Sequence, residues 1–149
     1  MPHSLVTYSI SLISIFGCFG CASPINDSRL SIEHDVDFSS YRYVVIYKAD
    51  TPSFIEQDLA QLLSDRGLSV IGINEVATKP QGSVLGFRYE SYFVPGLCRV
   101  TLQANDLDTG RTILTVMGRG ATTSIWGTRR ADCGVAWSRV TDELLYAFP

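Results

Sequence analysis

Histidine is almost missing from this chain, which has only His3 and His34 among 149 residues. No HExxH motif and no paired Cys/His spacing surrounds either one, so an imidazole-based zinc site is excluded. The acidic run Glu33-His34-Asp35-Val36-Asp37 reads as solvated linker, and neither a metal nor a cofactor is expected. Asp106-x-Asp108-x-Gly110 echoes a calcium loop, but Met117 stands where the bidentate Glu belongs, and a hairpin turn explains the spacing. The chain also lacks a GxSxG elbow, and Gly118-Arg119-Gly120 opens no helix that could cradle a phosphate. No catalytic residue is indicated. Basic excess is absent too: 12 Lys and Arg face 15 Asp and Glu, a net charge of −3, so nucleic acid is not an expected partner.

No Lys, Arg, Asp or Glu occurs before Asp27. Within that region Leu5–Phe19 is dominated by Leu, Ile, Val, Phe and Ser. As a helix it would span roughly 22 Å, short of the ~30 Å hydrocarbon core, which suits a signal peptide better than a membrane span. Residues 1–20 are therefore expected to be a signal peptide, with the free amino terminus supplying the positive end that Lys or Arg usually provides. A buried amino-terminal helix or strand is the alternative.

The segment Gly17-Cys18-Phe19-Gly20-Cys21-Ala22-Ser23-Pro24 resembles the lipobox of bacterial lipoproteins, where a small residue precedes the cysteine that is acylated and becomes the new amino terminus. Gly17 and Gly20 give both cysteines that small residue. Cys18 has the better residue three positions before it, Ile15, whereas Cys21 is followed by Ala-Ser-Pro, a typical start for a mature lipoprotein. Cys21 is preferred, with Cys18 the alternative; a plain secretory cleavage after Gly20 or Ala22 stays open. Each acyl CH₂ buried contributes about 0.8 kcal/mol, so two or more chains anchor stably to membrane lipid.

What is present in quantity is core material: 46% of the residues are hydrophobic, with seven Tyr, seven Phe and two Trp. Residues 21–40 are polar and read as a flexible tether to a single domain over 41–149. Tyr41–Lys48 reads as a strand. Thr51-Pro52-Ser53, with Glu56 at capping-box spacing, opens a helix whose Ile55, Leu59, Leu62 and Leu63 share a face and which stops at Gly67. Leu68–Asn74 reads as a strand and 75–83 as a loop. A meander follows: Val84–Val94, a turn at Pro95-Gly96, Leu97–Asn105, a turn at Asp108-Thr109-Gly110, and Arg111–Thr122. After a loop over 123–131, Asp132 caps a helix carrying Ala136, Val140, Leu144 and Ala147 at helical spacing. The predicted fold is α+β: β-α-β, then a three-stranded antiparallel meander and a C-terminal helix, with the helices on one face of a mixed sheet.

Cys98 shares a strand face with Val100, Leu102 and Ala104, and Cys133 starts the helix expected to cover that face. A disulfide between them would contribute roughly 3–4 kcal/mol; two reduced, buried thiols are the other reading. Two surface features stand out. Trp126 with Arg129 and Arg130 can contact lipid headgroups, glycan or a protein, against the default of a solvated loop with Trp126 tucked onto the sheet. Tyr41, Tyr43 and Tyr47 line one strand face, for which burial under a helix is the default.

Asp37-Phe38-Ser39-Ser40-Tyr41-Arg42-Tyr43 before the first strand, the capped helix ending in Gly67, and Asp106-Leu107-Asp108-Thr109-Gly110-Arg111 before a late strand are similar to features of a widespread class of small bacterial envelope lipoproteins of uncharacterised role. The resemblance spans residues 37 to 147 and departs at Thr112-Ile113-Leu114, where the class often has an aromatic. It implies a fold similar to the TolB amino-terminal domain and the periplasmic part of the curli secretion lipoprotein, and it carries no catalytic residue. The lipobox-like segment and the absence of a catalytic constellation point to a non-enzymatic outer-membrane lipoprotein facing the periplasm, with an envelope protein as partner. Alternatives are a subunit of an oligomeric secretion or assembly complex and a secreted hydrolase with an unrecognised site.

Overall fold

The computed structural model describes residues 27–47, 53–124 and 126–148. The expected signal peptide and the acylation sites Cys21 and Cys18 lie outside the described residues, and of Ser53, the expected cap, only the backbone is described.

Strand β1 (Ser28–Ile32) arises inside the segment expected to be a tether. There Ser28, Leu30 and Ile32 alternate with Arg29 and Ser31, enough to pair antiparallel with a later strand although few of the residues are apolar. Asp37 then accepts hydrogen bonds from the N–H and hydroxyl of Ser39, closing a 3-10 turn over Phe38–Ser40. Strand β2 (Tyr43–Tyr47), helix α1 (Ser53–Asp65) and strand β3 (Ser69–Val70) form the β-α-β unit. Gly67, at φ +80°, ends α1: the Leu68 N–H reaches the Leu63 carbonyl and the Gly67 N–H reaches Ser64, a Schellman closure. The strand expected over 68–74 shrinks to two residues, because Ile73–Thr78 turns into 3-10 helix with Glu75 accepting the Gly72 N–H at 3.0 Å.

The meander follows as β4 (Val84–Val94), β5 (Leu97–Asp106) and β6 (Thr112–Thr123). Strand β7 (Arg129–Ala131) folds back onto β6 within the expected loop, and helix α2 (Cys133–Ala147) follows it. Sheet order is β1-β6-β5-β4-β2-β3, with β7 added to β6; β2 runs parallel to β3 and β4, and the other pairs are antiparallel. The α+β architecture is therefore as the patterning implied.

One sheet face carries Val44, Leu85, Phe87, Tyr89, Cys98, Val100, Leu102, Ala104, Leu114 and Val116, all buried. Ile55, Leu59 and Leu63 of α1, and Ala136, Val140 and Leu144 of α2, close over it. Helix α2 lies unusually near β6 because of two glycines. A Cβ on Gly118 would stand 2.1 Å from the Ala136 carbonyl oxygen, and one on Gly120 would stand 2.3 Å from the Ala136 nitrogen. Asp132 caps α2 as expected, accepting the Val135 N–H at 3.0 Å. The two helices are tied together by the Trp137 indole, which donates to Asp58 at 2.6 Å.

Candidate functional site

The strand registers divide the sheet into two ends. Asp27, Arg119, Arg99 and Tyr92 occupy one cross-strand row, since the Arg119 N–H donates to the Asp27 carbonyl, Arg99 faces Arg119, and Tyr92 faces Arg99. Beyond this row, at what is termed the apical end, lie the β4–β5 turn, the β6–β7 turn and the start of α2. The basal end holds the β5–β6 turn, the Phe38–Ser40 turn and the C-terminus of α2.

Apically, Cys98 and Cys133 form a disulfide with Cα atoms 5.2 Å apart. Of the two readings open in the sequence, the bridge is the one that forms, because the glycine contacts seat the first turn of α2 on β5 and β6. Trp126, Arg129 and Arg130 are brought to this end together. Trp126 is not tucked onto the sheet: it sits in the β6–β7 turn, 84% exposed, while the Ser124 N–H bonds the Thr128 carbonyl beneath it. Arg129 and Arg130 are exposed on β7, and Gly96 at the β4–β5 turn packs against Arg129.

Sequence reasoning missed Tyr92 and Phe93, 62% and 59% exposed at the neighbouring turn. A signal was available, because consecutive aromatics in a strand cannot both point to the core face. It also missed Arg119, whose guanidinium grips the Asp27 carboxylate with two N–H groups. That hydrogen bond, with the guanidinium charge, holds the Asp27 carboxyl below its ordinary value despite an opposing burial effect.

The tyrosine face divides. Tyr41 is buried, and its hydroxyl donates to Asp106 at 2.8 Å. Burial, then the neighbouring Asp106 carboxylate, push the Tyr41 phenol up to about 12. Burial works to raise Asp106 as well, but hydrogen bonds from Thr109, Tyr41 and Asp108 together outweigh it and leave this carboxyl below its usual value. Tyr43 and Tyr47 do not go under a helix. They lie half-buried on the opposite sheet face, with Lys79 4.7 Å from the Tyr43 ring centroid and Arg88 5.8 Å from that of Tyr47. Thr101, Gln103, Thr115 and Met117 continue this second face across β5 and β6, all half-buried.

Two basal cavities flank Tyr41. One of about 650 Å³ is walled by Val36, Phe38, Leu68 and Phe148, with Arg42 and Arg66 at its rim. Arg66 is engaged, donating to the Phe148 carbonyl at 2.7 Å. The other, about 310 Å³, gathers Glu33, His34, Asp35, Asp37, Asp106 and Arg111. Among the described residues no three His, Cys, Asp or Glu side chains are grouped to hold a metal ion. Nor does any described helix have the length and apolarity to cross a membrane. What the arrangement offers chemically is contact surface: aromatic and cationic groups at the apical end, a polar and aromatic sheet face, and a carboxylate-rich basal rim.

No protein-family model matches the chain, and no curated protein matches it in sequence. Among solved structures it is similar to a PDZ domain protein from Parabacteroides distasonis, with a TM-score of 0.57 and 13% identity over 80% of this chain. The matched region is 34% of that protein, so this chain spans about a third of its length. A weaker likeness extends to PelC from Paraburkholderia phytofirmans, solved as a dodecamer. One crystal form gives a TM-score of 0.47 at 16% identity, covering 80% of this chain and 95% of that one. A second gives 0.48 at 15%, covering 80% and 94%. At such identities the shared property is the fold.

Proposed function

We propose that this chain is an exported, membrane-anchored protein of the bacterial envelope with a non-enzymatic binding or assembly role toward another envelope component. The observation that carries the proposal is the Cys98–Cys133 bridge. Stable disulfides belong to oxidising compartments outside the cytosol. With that pair consumed, the two remaining cysteines are Cys18 and Cys21, both in the lipobox-like segment. The resemblance to small envelope lipoproteins supports the same location, an outer-membrane lipoprotein facing the periplasm. For a binding role, support comes from the sheet face opposite the helices, where Tyr43, Tyr47, Arg88, Arg99, Thr101 and Gln103 offer rings, cations and hydrogen-bonding groups side by side.

Metabolic labelling with a clickable fatty acid tests the anchor. Label is expected on the wild type, lost in Cys21→Ala and kept in Cys18→Ala; no label on any version would overturn the anchor. A photo-crosslinking residue at Thr101 tests the role, with a discrete protein adduct in cells as the expected result and no adduct from correctly processed protein counting against it. A second reading, a subunit of an oligomeric secretion or assembly complex, is favoured by β1 lying at the sheet edge among the described residues, where a neighbouring chain's strand can pair. A monomeric profile in detergent would remove it.

A further inference from the structure

The direction in which the chain enters the sheet links the apical side chains to the lipobox-like segment. Asp27 stands in the same cross-strand row as Tyr92, three strand spacings away across β6 and β5, or about 14 Å. Cys21 precedes Asp27 by six residues and Cys18 by nine. Such spans reach at most about 20 Å and 30 Å. An acyl chain on either cysteine therefore brings the apical end within one tether length of the bilayer. The basal end of β4 lies eight residues from that row, about 26 Å further along the sheet.

The side chains gathered at that end match what a bilayer surface accepts. Tyr92, Phe93 and Trp126 are exposed there; the amphipathic rings of tyrosine and tryptophan settle at headgroup level, and the phenyl ring adds apolar contact. Arg99, Arg129 and Arg130 stand exposed beside them, with a guanidinium fork suited to phosphate oxygens. The opposite end has an acidic excess: Glu33, Asp35, Asp37, Asp106 and Asp108 cluster around the β5–β6 turn and the Phe38–Ser40 turn, against Arg42, Arg66 and Arg111. An anionic membrane attracts the first end more than the second, so charge and tether favour one orientation. The apical turns are also held to the body of the fold by the disulfide and the glycine-seated helix, which limits the entropy lost on docking.

We propose that the apical end is a membrane-docking surface: Tyr92, Phe93 and Trp126 sit at the headgroup level of an anionic phospholipid bilayer, with Arg129 and Arg130 on its phosphates. The docking rests on the lipid-anchored reading above, since the acyl chain supplies proximity and the apical residues supply orientation. Trp126 is a built-in reporter, because the other tryptophan, Trp137, is buried against α1.

The test uses the full, cell-processed protein reconstituted into vesicles of phosphatidylethanolamine with one-quarter phosphatidylglycerol, with and without bromine on the acyl chains. Flotation reports anchoring, and quenching of the tryptophan emission reports docking. Floating protein is expected to show a blue-shifted emission quenched by bromolipid, the quenched component disappearing in Trp126→Phe. Arg129→Gln with Arg130→Gln should shrink the quenching at least twofold, and phosphatidylcholine vesicles should do the same. Protein that floats without quenching overturns the docking and leaves the anchor standing. Quenching by protein whose mass shows no acyl chain overturns the anchor and upholds the docking. Neither flotation nor quenching overturns both. A photo-crosslinker at Trp126 that captures one discrete protein in cells, with no lipid adduct, assigns the surface to a protein and overturns the proposal.

Discussion

At the apical end large aromatic side chains stand in solvent, and the structure beneath them is held by a disulfide and by backbone-to-backbone contact between α2 and β6. At the basal end most aromatics turn inward, Tyr146 on the last turn of α2 being the exception at 79% exposed. Phe148 is buried, with the Phe38 ring 4.8 Å away edge-on and the Phe87 ring 6.1 Å away, and the Tyr41 hydroxyl is committed to Asp106. The difference shows how a small domain can expose rings without losing its shape. Where covalent and main-chain contacts fix the geometry, side chains are free for contact with a partner; where side chains fix it, they are consumed by packing.

Removing the covalent tie should break the comparison most strongly. Cys98→Ser with Cys133→Ser, or simple reduction, is expected to lower stability by roughly 3–4 kcal/mol in denaturant unfolding. Amide exchange should then accelerate first in β7 and the opening turn of α2, with the region around Tyr41 following only on global unfolding. Gly120→Ala comes next. Its methyl would meet the Asp132 oxygen and the Ala136 nitrogen, both main-chain atoms that cannot swing aside, so about 1–3 kcal/mol is expected from calorimetry.

Basal substitutions should cost less and show in the pH profile. Tyr41→Phe removes one hydrogen bond to a carboxylate that keeps its bonds from Asp108 and Thr109, a loss of about 1 kcal/mol. The Tyr41 phenol rises from 10.0 to about 12 on folding, so its contribution is full below pH 10 and disappears as pH climbs through 12. The variant should flatten that alkaline limb. Asp27→Asn is the mildest change, costing about 0.5–1 kcal/mol as a partly exposed pair. The Asp27 and Asp106 carboxyls are both depressed below 3.8 in the fold, so each stabilises above that pH and ceases to as the pH falls through its folded value. Asp27→Asn should remove the apical share of the acid limb and leave the Asp106 share, which urea midpoints between pH 2 and pH 5 can resolve.

Much of the frame was legible because its signals are local. The spacing of Ile55, Leu59 and Leu63, the stop at Gly67, the cap at Asp132 and the turns at Pro95-Gly96 and Asp108-Thr109-Gly110 each depend on neighbours within a few residues. Strands β1 and β7 were not legible. Ser28–Ile32 and Arg129–Ala131 carry little apolar surface, and both are strands only because β6 offers an edge to pair with. Gly118 and Gly120 were read as a failed phosphate loop, whereas their role is to admit a helix. For Trp126, one tryptophan in a polar loop is compatible with burial or exposure, and the β6–β7 turn alone decides for exposure.

The sequence by itself determined the α+β class, the two helices and the meander, since hydrophobic period and turn chemistry act along the chain. Tertiary structure alone decided that Cys98 meets Cys133, that Tyr41 reaches Asp106 across 65 positions, and that Asp27 enters the sheet in the row of Tyr92. Those are matters of register and of close approach between elements, and a one-residue slip of a strand would turn every one of its side chains to the opposite face. Such distances are set only when β6 finds its partners and its glycines let α2 down onto them.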